Sequence, residues 1–147
     1  IKYNPEIKLV IIGEGEQYSE IREIIKESKI EKNIFLFGYQ SNVFNYLYNS
    51  KGFILSSLWE DPGFVIVEAI FCNTTPILPE RLSYPELFDI NKNPDIFYKK
   101  DNQLYQKIKN YLTNPLKSKF ENIEKFDWNT IKEHYDQLFE RLKLNKY

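Results

Sequence analysis

The chain contains no methionine, one cysteine, one histidine and only five glycines among its 147 residues. A lone cysteine, Cys72, cannot form an intrachain disulfide, which excludes a disulfide-stapled scaffold and suits a reducing compartment. No apolar run approaches the roughly 20 residues that span a bilayer, and no signal peptide is visible. The sequence therefore predicts a cytoplasmic protein without a transmembrane segment.

An excess of charge of one sign is also missing, because 20 Lys and Arg residues stand against 21 Asp and Glu residues, a net charge of −1. Nucleic-acid-binding domains usually carry a basic surface, so this balance argues against one. The 42% apolar and 28% charged residues are close to the averages for soluble globular domains. The length fits one domain with its own hydrophobic core.

Short apolar runs alternate with segments of helical periodicity, a pattern typical of an α/β sheet. Strands are predicted at residues 7–12, 33–37, 52–56, 75–78 and 95–98. Helices are predicted at residues 21–28, 43–49, 62–72 and 86–88 and in the C-terminal tail. The first strand is almost continuously apolar, which predicts burial on both faces of a parallel sheet. We therefore expect one parallel sheet with helices on its faces.

Apolar side chains at helical spacing predict which helix faces pack on that sheet. Three such sets are Phe44, Leu47 and Tyr48; Leu104, Ile108 and Tyr111; and Ile131, Tyr135, Leu138 and Leu142. Ligands of open parallel sheets bind outside the carboxyl ends of the strands. The functional edge is therefore predicted to contain the loops at residues 13–17, 38–42, 58–64 and 79–86.

The helix at residues 62–72 has the clearest start signal, with Asp61 as a favourable N-cap and Pro62 as a favourable first helical residue. The first-turn amides of Gly63, Phe64 and Val65 have no intrahelical partner. A helix N-terminus of this kind attracts anions, and phosphate is its usual ligand. Gly63, which has no side chain, would let such a ligand approach closely.

Glu68 lies in the same helix, between apolar residues on both sides. Ionised carboxylates are almost never buried without a partner, so either a protein donor or a ligand must satisfy it. Its Cβ points back towards the helix N-terminus, where the carboxylate could accept hydrogen bonds from the paired hydroxyls of a ribose. The alternative is structural: Asp61 only caps the helix and Glu68 lies on a solvated face.

Four stretches of the chain together resemble glycosyltransferase family 4, whose retaining enzymes have the GT-B fold of two facing Rossmann-like domains. Glu60 and Glu68, with seven residues between them, resemble the Glu-x7-Glu motif of that family. The other stretches are the strand and glycine turn at residues 8–15, the strand at 33–39 and the turn and strand at 72–77. All four follow the family's order and spacing.

The resemblance implies a Rossmann-like nucleotide-sugar-binding (donor) domain at residues 1–147, with its C-terminal helices at 101–147. This would be the C-terminal half of a GT-B fold. The first strand of the donor domain and the whole N-terminal acceptor domain would precede Ile1, and a first residue other than methionine fits such a piece. The full-length enzyme would transfer a hexose-type sugar, with retention, to a glycan or lipid-linked acceptor, and the truncated chain alone would be inactive.

The resemblance also implies site residues. Glu60 would be the catalytic residue beside the sugar ring, and Glu68 would bind the ribose hydroxyls of the donor. The other residues implied in donor binding are Gly13, Gly15, Tyr39, Gln40, Gly63, Phe64 and Val65. The resemblance implies no metal and no cofactor beyond the nucleotide-sugar substrate, and no His, Cys or Asp cluster has the spacing of metal ligands.

Two departures from the family pattern affect this interpretation. Asp61 and Pro62 stand where the motif usually has Gly-Phe, which puts a carboxylate near the expected diphosphate. If Asp61 caps the helix, it competes with phosphate for the same amides. Residues 81–86, Arg-Leu-Ser-Tyr-Pro-Glu, resemble a related branch that mannosylates a modified tRNA base. A tRNA acceptor therefore stays open, although nucleic-acid binding is otherwise not expected.

Two other functions stay open. A nucleotide-sugar epimerase or a phosphorylase could use the same two-domain fold. A non-catalytic interaction module is compatible with Trp59, Tyr39 and Tyr84, which are expected to be exposed aromatic residues on the functional edge. These residues could equally line a ligand cleft. The full-length enzyme is expected in the cytoplasm, or peripheral at the inner face of the membrane.

Overall fold

The computed structural model describes residues 6–58, 63–115, 120 and 123–144. The chain forms two compact units, Ile1–Val43 and Phe44–Tyr147. The elements of the first unit are β1 (Leu9–Ile11), α1 (Tyr18–Glu27) and β2 (Ile34–Leu36). Those of the second are α2 (Phe44–Tyr48), β3 (Gly52–Ile54), α3 (Phe64–Phe71), β4 (Thr75–Pro79), α4 (Tyr84–Leu87), β5 (Phe97–Tyr98), α5 (Asp101–Thr113) and α6 (Trp128–Leu144).

In the first unit, β1 and β2 form a parallel pair connected by α1, with Leu9 opposite Ile34. The side-chain amide of Asn33 donates a hydrogen bond of 2.9 Å to the carbonyl of Ile7, which holds the start of this pair. The spacing of Ile21, Ile24, Ile25 and Ser28 predicts the packed stripe of this helix, but only Ile25 is buried, and Ile24 is 52% exposed.

The first strand was predicted to be buried on both faces, and this prediction is wrong. β1 has three residues, none of them buried, and Leu9 and Val10 are 39% and 38% exposed. Among the described strands, β1 is hydrogen-bonded only to β2. A strand with one neighbour lies at the edge of its sheet, so an apolar sequence does not by itself enclose it.

In the second unit, β3, β4 and β5 form a parallel sheet with β4 in the middle, and all five residues of β4 are buried. Successive side chains of a strand point to opposite faces. Leu78 belongs to the core that contains Ile66 of α3 and Phe88, which follows α4. Ile77 belongs to a second cluster with Tyr111 of α5. Helices therefore cover both faces of this sheet, as predicted.

The α/β class with parallel strands is confirmed, but the strands do not form the single sheet that we expected. In the described part of the chain, the hydrogen-bonded strands make one sheet of two strands and one of three. An alternating pattern of strands and helices predicts parallel pairing but does not specify which strands are neighbours.

The inner face predicted for the second helix is also wrong in two of three positions. Leu47 is buried, whereas Phe44 and Tyr48 are exposed. Leu47 is three residues after Phe44 and directly before Tyr48, so the apolar pattern leaves open which side of α2 meets the core. Five residues are too few for a periodic pattern to identify the inner face. The buried hydroxyl of Thr74 fixes α2 by donating to the Leu47 carbonyl at 2.6 Å.

The two C-terminal apolar stripes have different outcomes. Leu104, Ile108 and Tyr111 of α5 pack in the cluster around Ile77, as predicted. In α6, the stripe that includes Tyr135 and Leu138 forms on a regular helix, but both side chains stay largely exposed. No helix in the described ranges is both long enough and apolar enough to cross a membrane.

Two short elements differ in detail from the prediction. The fourth helix was predicted at residues 86–88 and spans Tyr84–Leu87. The last strand was predicted at residues 95–98, where the chain forms a 3-10 turn at Pro94–Ile96 followed by β5.

Candidate functional site

The loops after β1 and β2 meet in the first unit. The Gly13 N–H donates to the carbonyl of Gly38 at 2.8 Å, and the Tyr39 N–H donates to the Glu14 carboxylate at 3.2 Å. Gly38 has φ +61°, a left-handed conformation that favours glycine, and a Cβ there would lie 2.9 Å from that carboxylate, whose flexible side chain would have to move aside. The structure therefore brings the predicted residues Gly13 and Tyr39 to one pair of adjoining loops.

Two further predicted residues belong to these loops. The carbonyl of Gly15 accepts a hydrogen bond from the Tyr18 N–H at the start of α1. The side-chain amide of Gln40 donates to the carbonyl of Phe37 at 2.9 Å, and Tyr39 is exposed. The carboxylate of Glu14 joins the two loops, and no role was predicted for this residue. Its position between two glycines after a strand was the available signal.

In the second unit, Gly63 precedes α3 and adopts the left-handed conformation, with φ 66° and ψ 48°. A residue in this conformation cannot belong to a right-handed helix. The predicted start at Pro62 with Asp61 as the N-cap is therefore wrong, because the helix begins at Phe64 with Gly63 as its N-cap. An Asp-Pro capping signal in the sequence does not reveal a following left-handed glycine.

The structure gives a packing reason for a glycine at position 63. A Cβ there would lie 3.0 Å from Cδ1 of Ile66 and 3.1 Å from Cε1 of Tyr84. Gly63 is itself buried. Its missing side chain therefore permits the left-handed backbone and the close packing of Tyr84 and Ile66, and its role towards a ligand stays a prediction.

The outward side of α3 carries the other predicted residues of this unit. Ile66, Val67 and Ala69 are buried, whereas Phe64 is 67% exposed. Glu68, four residues after Phe64, lies on the same side and is half-buried. Its carboxylate makes no hydrogen bond or ion pair with another described residue, whereas its backbone carbonyl accepts the Cys72 N–H at 3.0 Å. The N–H groups of Phe64 and Val65 likewise make no backbone hydrogen bond within the described ranges.

Two expectations for aromatic and acidic residues have different outcomes. Glu60, the predicted catalytic residue, lies outside the described residues together with Trp59, Asp61 and Pro62, so its role stays a prediction. Tyr84 was expected to be exposed at the functional edge. It is 1% exposed and lies in the core of the second unit, because its ring packs against the backbone at Gly63.

The end of β3 is held by side chains that sequence reasoning did not assign to the site. Arg81 donates from Nε to the carbonyl of Ser57 at 3.1 Å and from a terminal nitrogen to the carbonyl of Ser56 at 2.9 Å. The buried hydroxyl of Tyr98 donates to the carbonyl of Leu55 at 3.1 Å. These contacts join residues 24 to 43 positions apart, so no local pattern predicts them.

Charged side chains surround this end of the sheet and act on the pKa of Tyr98. Burial raises the pKa of the Tyr98 hydroxyl, the Arg81 guanidinium partly offsets the rise, and Asp101 adds to it. Lys99 forms an ion pair of 3.1 Å with Glu80, where the chain leaves β4. No group of three or more His, Cys, Asp or Glu side chains in the described part of the chain could hold a metal ion.

Residues 1–132 match the family described as "Glycosyl transferases group 1". An uncharacterised glycosyltransferase of Methanocaldococcus jannaschii is 35% identical over 89 residues, which cover 56% of this chain and 22% of that protein. A poly(ribitol-phosphate) α-N-acetylglucosaminyltransferase of Staphylococcus aureus is 26% identical over 149 residues, 95% of this chain and 30% of the relative.

The crystal structure of TarM superposes with a TM-score of 0.76 at 26% identity, over 94% of this chain and 30% of that one. The chain thus spans less than a third of the length of each of these relatives. The match to the family covers most of the sequence, and its GT-B type agrees with the parallel α/β fold. The chain belongs to the group 1 family of glycosyl transferases.

Proposed function

We propose that the chain is the donor-binding half of a retaining glycosyltransferase that uses a nucleotide sugar. The observation that carries this proposal is the outward side of α3. There, the Glu68 carboxylate is half-buried and has no hydrogen-bond or ion-pair partner among the described residues, and the N–H groups of Phe64 and Val65 make no backbone hydrogen bond within them. A carboxylate and two such amides on one helix suit a ligand with paired hydroxyls at one end and phosphates at the other.

Each residue then has a chemical task. Glu68 accepts hydrogen bonds from the two ribose hydroxyls, and the amides of Gly63, Phe64 and Val65 donate to the diphosphate and sugar. Glu60 lies beside the sugar ring and stabilises positive charge as the diphosphate leaves. Donors that are fixed before the reaction stabilise the developing charge without reorganising, which is the main advantage of such a site.

The first unit has donor-binding residues of its own in this proposal. Gly13 and Gly15 carry no side chain themselves, and nothing lies within 4 Å of a Cβ built at either, which allows a ligand to approach their backbone. Tyr39 and Gln40 border the base, and the exposed ring of Tyr39 is available for stacking on it. No metal or further cofactor takes part.

The complete enzyme is proposed to contain an N-terminal acceptor domain in addition to this chain, and to act on a glycan or lipid-linked acceptor in building a cell-surface polysaccharide. The name of the Staphylococcus aureus relative, which glycosylates poly(ribitol-phosphate), supports an acceptor of the cell-surface class. We propose that the full-length enzyme is cytoplasmic or peripheral at the inner face of the membrane. The chain alone binds the donor but does not transfer sugar.

A ligand-observed NMR titration of the chain with UDP, GDP, ADP and CMP tests this function. We expect one of the four nucleotides to bind, and Glu68→Gln to weaken it by roughly 10- to 100-fold, since hydrogen bonds to a charged acceptor contribute about 1.5–3 kcal/mol. Glu86→Gln, on the exposed surface of α4, is the matched control and should bind like the wild type. Binding that is identical in both variants, or no binding by the folded chain, contradicts the proposal.

A further inference from the structure

We propose that Arg81 is a positioning residue of the donor site, because it fixes the point where the chain leaves β3 on its way to α3. This inference rests on the proposed function, since it concerns the same site. In the sequence, Arg81 begins the segment at residues 81–86, and no role was predicted for it.

The contact itself is specific to an arginine. Two nitrogens of one guanidinium donate to two successive carbonyls, those of Ser57 at 3.1 Å and Ser56 at 2.9 Å. A planar guanidinium presents its N–H groups in a fixed geometry and fixes the direction of the backbone that accepts them. A lysine at this position would keep the charge but could not reproduce the paired geometry.

These carbonyls lie beyond the last backbone bond of the β3 ladder. The Leu55 N–H donates to Ile77 at 3.1 Å, and the Leu55 carbonyl accepts the Tyr98 hydroxyl. Three successive carbonyls, those of Leu55, Ser56 and Ser57, are thus held by two side chains. Tyr98 is the last residue of β5, and Arg81 follows the end of β4. The chain therefore leaves β3 in a fixed direction although the ladder has ended.

The segment that runs from Ser57 to Gly63 is also held at its other end, by Tyr84 at the start of α4. Tyr84 packs against Gly63, where a Cβ would lie 3.1 Å from its ring. Arg81 therefore holds the chain at Ser57, and Tyr84 holds it at Gly63, at the start of α3. Five residues, 58–62, separate these two points, and the predicted catalytic residue Glu60 is one of them.

The backbone of the connection is itself constrained. Leu82, next to Arg81, has φ +56°, a left-handed conformation that is unfavourable for a bulky side chain. Such a conformation persists only where the surrounding structure imposes it. The paired hydrogen bonds of Arg81 on one side and the buried ring of Tyr84 on the other supply that constraint.

The test compares nucleotide affinity in Arg81→Ala, Arg81→Lys and the wild-type chain, using whichever of UDP, GDP, ADP and CMP binds the wild type. We expect both variants to bind about tenfold more weakly, because misplaced binding groups lose affinity even when all of them are present. Lys99→Ala removes another positive charge near this edge without touching Ser56 or Ser57, and should stay within twofold of the wild type.

A general loss of stability is separated from positioning by Thr74→Val. This variant removes a buried hydrogen bond elsewhere in the second unit and should leave the affinity unchanged. Faster amide hydrogen exchange at Leu58 and Phe64 in Arg81→Ala, with unchanged exchange at Ile77 and Leu78, is the expected structural readout.

The outcomes separate the inference from the proposed function. A wild-type chain that binds a nucleotide while Arg81→Ala binds it equally well overturns the positioning role and leaves the proposed function standing. Wild-type affinity in Arg81→Lys also overturns that role, because charge alone would then suffice. Equal losses in Thr74→Val and Arg81→Ala overturn it in favour of stability. If the wild type binds none of the four nucleotides, the proposed function fails, and this inference fails with it.

Discussion

β1 and β4 have similar apolar sequences and very different surroundings. β4 has a strand on each side and helices on both faces, and all five of its residues are buried. β1 has one hydrogen-bonded neighbour among the described strands, and none of its three residues is buried. The apolar sequence of a strand therefore indicates its ability to be buried, and its neighbours determine how far that happens.

The comparison extends to the candidate residues within each unit. In the second unit, the end of β3 and the start of α3 are held by Tyr98 of β5, by Arg81 in the connection after β4, and by Tyr84 of α4. In the first unit the loops after β1 and β2 are joined at the surface by the Glu14 carboxylate and by one backbone bond from Gly13. Exposed hydrogen bonds of this kind open more readily than buried ones.

A Leu→Ala change in each strand tests the comparison directly, and it should give the largest effect. Leu78 is 0% exposed and Leu9 is 39% exposed. We expect Leu78→Ala to lower the free energy of unfolding by about 2–5 kcal/mol, because a buried cavity forms, and Leu9→Ala to lower it by about 1 kcal/mol or less. Urea unfolding followed by far-UV circular dichroism measures both. Equal losses would show that β1 is as enclosed as β4.

Two glycines extend the comparison to the turns. Gly63→Ala forces a Cβ into a left-handed residue and against Ile66 and Tyr84, so we expect a loss of about 1–3 kcal/mol. Gly15→Ala meets no atom within 4 Å and should change the free energy of unfolding by less than about 0.5 kcal/mol. The same urea experiment gives both values. A stable Gly63→Ala variant would contradict the close packing at the start of α3.

Polar side chains that bind a carbonyl give a smaller difference. Thr74→Val removes the buried bond to Leu47, whose carbonyl keeps the Ser50 N–H as a donor, and should cost about 1 kcal/mol, the net contribution of one hydrogen bond that water cannot replace. Asn33→Ala removes the bond to Ile7 in a partly exposed place, where water can replace it, and should cost about 0.5 kcal/mol. Thermal unfolding of the two variants measures the difference, and the reverse order would contradict it.

Much of the fold could be predicted because its signals are local. The spacing of Leu104, Ile108 and Tyr111 is enough to predict both the helix and its packed face. The burial of β1 could not be predicted, since it depends on strand neighbours. The inner face of α2, where Phe44 and Tyr48 are exposed, could not be predicted either, because the helix is only five residues long.

The candidate site divides in the same way. Glu68 is a candidate because an acidic residue in an apolar helix is visible in the sequence, and the glycine turn after β1 is a candidate through the family resemblance; the roles of both stay predictions. The left-handed Gly63 was misread, since the Asp61-Pro62 pair predicts an earlier start for α3. The contacts of Arg81 and Tyr98 with the end of β3 join distant positions, so only the folded chain reveals them.

The last and smallest difference concerns pH. The pKa of Tyr98 is raised by burial, so the folded state holds the hydroxyl proton more tightly than the unfolded chain does. The contribution is fully present below the unfolded value of about 10 and is lost as the pH rises from there through the higher folded pKa. We expect the free energy of unfolding to fall less steeply above pH ~10 in Tyr98→Phe than in the wild type. Tyr39→Phe, at an exposed position, should follow the wild-type curve. Parallel curves for Tyr98→Phe and the wild type would mean that the Tyr98 hydroxyl is not enclosed at the end of β3. The difference in burial between the strands of the two units would then be smaller than the burial of β4 implies.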